Sequence, residues 1–118
     1  ATSALDQAFE TDPNAAKLRV RVYVHMHSQT QRHRAFQIAR TLRTAGYLVP
    51  GIDVQPQRFK ESEVHYYADN SQSVSDANAI SKVVASTGVP CEIRQVPQAP
   101  TDKLRPRAYG LWLATDLH

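Results

Sequence analysis

The sequence predicts an α+β fold built from two βαβ halves, because one order of elements occurs twice and its strands alternate cleanly. In the first half, Leu18 to Met26 runs into a helical stretch ending at Ala45, then Gly46, Val49, Pro50 and a strand from Ile52 to Gln55. In the second, Val64 to Ala68 leads into a helical stretch ending at Thr87, then Gly88, Val89, Pro90 and a strand from Cys91 to Val96. Two such halves in a chain of 118 residues point to a split-βαβ, ferredoxin-like sandwich in βαββαβ order, with two helices on one face of a mainly antiparallel sheet. Tyr109 to Leu113 adds a fifth strand, expected at the C-terminal edge.

Residues 1 to 17 read as an N-terminal arm: Leu5, Ala8 and Phe9 supply one apolar turn, and Thr11-Asp12-Pro13-Asn14 is a turn signal. Residues 18 to 118 form a single domain. In the first strand Leu18, Val20, Val22, Val24 and Met26 fall on one face and Arg19, Arg21, Tyr23, His25 and His27 on the other. Such alternation describes a sheet covered on one side only. Ser28 with Gln31 resembles a capping box, and Ala35, Ile38, Ala39 and Leu42 keep the spacing of a buried helical stripe. The opposite helix face carries Arg32, Arg40 and Arg43, which read as solvated. Gly46 supplies the left-handed residue that ends the helix. The second helix repeats the pattern, with Ser73 and Asp76 as its cap pair, Ala77, Ile80, Val83 and Val84 inward, and Gly88 as terminator. In the third strand Val64 and Tyr66 oppose His65 and Tyr67; in the last, Tyr109, Leu111 and Leu113 oppose Gly110 and Trp112.

Composition narrows the class. Hydrophobic residues at 42% with charged residues at 21% describe a globular domain rather than a disordered one. The single cysteine, Cys91, excludes an internal disulfide. A net charge of +3 favours anionic partners only modestly and is no nucleic-acid signature by itself. No apolar run approaches the roughly 20 residues that span a bilayer, so no membrane insertion is expected of this segment.

If the first and third strands are the central neighbours of the sheet, their outward side chains share one open surface: Arg19, Arg21, Tyr23, His25 and His27 beside His65 and Tyr67. Rings flanked by guanidinium groups make a stacking platform with anion-pairing edges. The competing account is structural, since cross-strand aromatic pairs stabilise a sheet by roughly 0.2 to 1 kcal/mol without binding anything. His25, His27 and His65 present three imidazoles, but no acidic second-shell partner is evident for them and no metal is expected. No nucleophile elbow, carboxylate pair or glycine-rich phosphate loop is present, so neither an enzyme nor a cofactor is expected.

The order Val20-Tyr23-Val24, the helix exit Leu42-Arg43-Thr44-Ala45-Gly46-Tyr47-Leu48-Val49 and the strand Val64-His65-Tyr66-Tyr67 resemble the small C-terminal domain of bacterial LytR-type envelope proteins. In outline the chain is also similar to SPOR-type domains, which bind peptidoglycan across an open sheet. Where LytR-type domains carry an Asn-Gly turn after the first strand, this chain has His27-Ser28-Gln29, and the segment Pro97 to Pro106 and the last strand are additional. The resemblance implies a non-catalytic accessory module of a larger bacterial protein, facing the periplasm or cell envelope. It implies as partner a cell-wall glycan or peptide, or another domain of the same polypeptide, met at Arg21, Tyr23, His25, His65 and Tyr67. Two alternatives stand beside it: a nucleic-acid platform of RNA-recognition-motif geometry, and a protein-interaction or oligomerisation domain.

Overall fold

The computed structural model describes residues 20–97 and 107–118. It is an α+β fold: two helices on one face of a five-stranded mixed sheet, compatible with the ferredoxin-like class at that level. The elements are β1 (Arg21–Met26), a 3-10 turn (Gln29–Gln31), α1 (Arg32–Thr44), β2 (Ile52–Val54), β3 (Ser62–Tyr66), α2 (Ser71–Ala85), β4 (Cys91–Gln95) and β5 (Ala108–Trp112).

The strand order is β2-β1-β5-β3-β4, which corrects four expectations. β1 hydrogen-bonds directly to β2, and β3 to β4, both in parallel, so neither βαβ unit is split. β5 lies at the centre of the sheet rather than at its edge, parallel to β1 and antiparallel to β3. Consequently β1 and β3 are not neighbours, and the sheet is mainly parallel. The physical reason is that each helix returns the chain to the strand next door, leaving β1 and β3 with one free edge apiece. β5 closes both. Its run Ala108-Tyr109-Gly110-Leu111 is buried throughout, as expected of a strand paired on both sides and covered over most of its length.

Within the described residues the alternation read from sequence places the core correctly; Leu18 and the arm at residues 1–17 lie outside them. Val20, Val22, Val24 and Met26 from β1, Val64 from β3, and Tyr109, Leu111 and Leu113 from β5 meet Ala35, Ile38, Ala39 and Leu42 of α1 and Ala77, Ile80 and Val84 of α2 in one buried cluster. Val83 packs against it from the margin. Gly46 and Gly88, at φ 100° and 91°, close the two helices in the left-handed region that a β-carbon disfavours. Arg32, Arg40 and Arg43 are exposed, as read. Arg32 lies over the Phe36 ring and Arg43 donates to Val49 O.

Both helix starts differ from the expected caps. Ser28 makes no side-chain cap bond, and a 3-10 turn precedes α1. Gln31, wholly buried, accepts from His27 N and donates to the carbonyls of Ala114 and Leu117, each at 2.7 Å. It therefore ties the end of β1 to the C-terminal tail. In α2 the cap is Asn70, which accepts from Ser73 N at 2.8 Å. Ser73 and Asp76 sit one turn further in, both buried. The Asp76 carboxylate accepts from Arg107 Nε and Nη2 at 3.0 and 2.9 Å and from the Tyr109 hydroxyl at 2.6 Å. That network locks α2 onto the entry to β5, where Arg107 holds a left-handed φ of 61°.

Candidate functional site on the open sheet face

Opposite the helices, β5 changes what the face contains. Strand register sets His25 beside Trp112 and Trp112 beside Glu63; the next row is Tyr23, Gly110 and His65. Trp112 becomes the centre of a four-ring cluster. The His25 ring lies 4.1 Å from it, Phe59 5.3 Å and His65 5.7 Å, with Phe59 and His65 also 5.7 Å apart. Phe59 reaches the cluster from the β2–β3 connection, anchored by Thr115, whose N–H donates to Phe59 O and whose hydroxyl accepts from Phe59 N. The tail that Gln31 grips therefore also positions Phe59.

Each histidine of the cluster is oriented by a carboxylate, which corrects the expectation that no acidic partner stands beside them. His25 Nδ1 meets Asp53 Oδ1 of β2 at 2.5 Å, and His65 Nε2 meets Glu63 Oε1 at 2.8 Å. Burial alone would raise the Asp53 carboxyl, but its hydrogen bonds with His25 and Gln55 outweigh that and hold it below the usual carboxylate range. Arg94 of β4 adds a second contact to Glu63 at 3.2 Å. The imidazoles are well covered, with side-chain exposures of 16% for His25 and 10% for His65. The platform is thus a half-buried aromatic layer with an exposed border, Asp53 at one side and Arg94 at the other.

Gly110 shapes its middle. A β-carbon there would stand 3.1 Å from both the indole Nε1 of Trp112 and the hydroxyl of Tyr67. The bare backbone is what admits both groups. The Trp112 Nε1 is buried and has no hydrogen-bond partner among the described residues. Burial also pushes the Tyr67 phenol above its ordinary value.

Of the residues expected to bind, His25 and His65 join the cluster, and Tyr23 and Tyr67 border Gly110. Arg21 faces the same side one row further along, beside Ala108. His27 lies past the end of β1, with Nδ1 at 3.3 Å from Gln57 O, and takes no part. Arg19 lies outside the described residues. Among the described residues no group of three or more His, Cys, Asp and Glu is arranged to hold a metal ion. Phe59, Gly110, Asp53 and Glu63 are site residues that sequence reasoning does not single out. For Trp112 the sequence leaves open whether it is buried or stands on the open face; its parity opposite Leu111 is the signal, and the strand register places it at the centre of the open face.

Compared with known proteins, the chain matches no family model, no curated protein and no solved structure. Among the described residues no helix is long and apolar enough to cross a membrane.

Proposed function

We propose that this chain is a non-catalytic binding module that takes a glycan or peptide strand on the open face of its sheet, centred on Trp112. One observation carries the reading: a tryptophan stacked with two histidines and a phenylalanine stands on the sheet face opposite the helices, bordered by Tyr23 and Tyr67. Aromatic faces suit the apolar faces of sugar rings, and the carboxylates and guanidinium at the border suit hydroxyl, amide and ammonium groups. The resemblance to LytR-type and SPOR-type domains makes peptidoglycan fragments the first ligands to try and the periplasm or envelope the expected location. A nucleic-acid platform is less favoured, because Asp53, Glu63 and Glu92 bring three carboxylates to the same face.

Trp112 is the single tryptophan of the chain, so its fluorescence reports on this face alone. Soluble peptidoglycan fragments are expected to change its emission saturably, with little response to salt, and to shift the NMR signals of Tyr23, His25, His65 and Trp112 together. Binding of short single-stranded RNA that weakens steeply with salt would instead assign a phosphate ligand. Silence with both refutes the open face as a ligand site.

A further inference from the structure

The two edges of the sheet are not alike. β2 is three residues long, whereas β4 pairs with β3 through all five of its residues and has no strand on its outer side among the described residues. Natural edges are usually blunted by charged side chains, lysine above all, by proline, a bulge or shortness. β4 has neither lysine nor proline within it, Pro90 and Pro97 only flanking it, and its charges are of opposite sign, so they repel a second copy in some registers and attract it in another. Its open-face side chains are one acid and one base, Glu92 and Arg94, both exposed, while Cys91 and Ile93 point to the helix side and are half-buried.

That short pattern is self-complementary. In an antiparallel pair related by a two-fold axis through Ile93, Glu92 lies opposite Arg94 of the second copy, Arg94 opposite its Glu92, and Ile93 opposite its equivalent. The neighbouring symmetric registers fail on charge: an axis at Glu92 sets two glutamates face to face, and one at Arg94 sets two arginines face to face. Like charges directly opposite are destabilising and unlike ones stabilising, so charge selects the Ile93 register. We propose that β4 is the contact edge of a symmetric homodimer, two copies joining β4 to β4 antiparallel about Ile93 into one continuous sheet.

Two features of the single chain fit this edge. Glu92 stands against Glu61, and their shared hydrogen bond and mutual repulsion hold the Glu92 carboxyl above its usual range, with Arg94 offsetting only part. A second cation across the edge relieves that repulsion. Arg94, although it touches Glu63, keeps a side-chain exposure of 58% and has donors left to offer. A two-fold axis normal to the sheet also leaves both Trp112 clusters on the same side. The dimer does not depend on the proposed ligand reading, but it would make that face bivalent.

Sedimentation equilibrium of the chain from micromolar to millimolar concentration tests this. The expected result is a concentration-dependent dimer. Glu92→Arg and Arg94→Glu each turn both cross-strand pairs repulsive, weakening self-association by roughly tenfold. Mixing the two variants then restores association, because an all-basic edge meets an all-acidic one. A variant that had merely lost its fold would not be rescued in this way. A monomer throughout the range, a dimer indifferent to both variants, or a mixture no tighter than its components each overturns the proposal.

Discussion

Replacing Gly110 by alanine separates two views of the open face by the sign of one stability change. Glycine inside a strand is ordinarily a weakness, and alanine in an unobstructed site would stabilise by roughly 0.5 to 1 kcal/mol through the smaller entropy loss on folding. Here the added methyl meets Trp112 Nε1 and Tyr67 Oη, each at 3.1 Å. The Tyr67 hydroxyl is the end of a long side chain and can give way by a few tenths of an ångström. Trp112 has less freedom, wedged among His25, Phe59 and His65. Overpacking of this kind costs about 1 to 3 kcal/mol. Set against the entropic gain, Gly110→Ala should destabilise by about 1 kcal/mol, a fall of roughly 3 to 6 °C in melting temperature for a domain of this size. Thermal melts followed by far-UV dichroism and by Trp112 emission measure both halves of the argument, since displacement of the indole must also change the fluorescence of the folded state. A variant that melts higher with unaltered emission would show that nothing is packed over Gly110, and the rigid aromatic layer would be refuted.

Leu42→Ala, at a fully buried position of α1, should cost about 3 kcal/mol through cavity formation; denaturant titration checks it, and a near-neutral result would overturn the helix face assigned to the core. Asp76→Ala takes from the Tyr109 hydroxyl its carboxylate acceptor, leaving it only Ser73, and removes both carboxylate oxygens that Arg107 pairs with. With Arg107 partly exposed and able to rehydrate, a loss of about 3 kcal/mol is expected, at the low end for a buried ion pair. Stability should fall as pH rises above about 10, the ordinary tyrosine value. Burial first, then the Asp76 hydrogen bond and charge, push the Tyr109 phenol well up. Above that pH the unfolded chain releases a proton that the folded one retains, so the folded state loses ground. Tyr109→Phe should flatten this alkaline limb; an unchanged limb would assign it to other groups.

Much of this was legible locally. Period-2 alternation told which side of β1, β3 and β5 faces the helices, because a side chain's face depends only on its parity within the strand. The stripe Ala35, Ile38, Ala39 and Leu42 and the glycines at 46 and 88 were readable for the same reason: helix face and helix exit depend on a few adjacent residues. Caps were less secure. Ser28 and Ser73 had the right chemistry, yet Gln31 is drawn away to the C-terminal tail and Asn70 takes the cap of α2. Such competition between local and distant partners leaves no mark in a short window of sequence.

What the sequence by itself determined was therefore composition of faces: an apolar side for two helices and a side carrying Tyr23, His25, His65, Tyr67 and, by parity, Trp112. Which strands are neighbours was decided only in three dimensions. Pairing depends on where each helical connection sets down the following strand and on which edge is left open. Those long-range conditions drew β5 between β1 and β3. The same conditions brought Trp112 between His25 and His65, residues 40 positions apart in the chain, and gave Gly110 its role beneath the indole. The candidate site is a product of strand order, and strand order is the part of this fold that local periodicity does not encode.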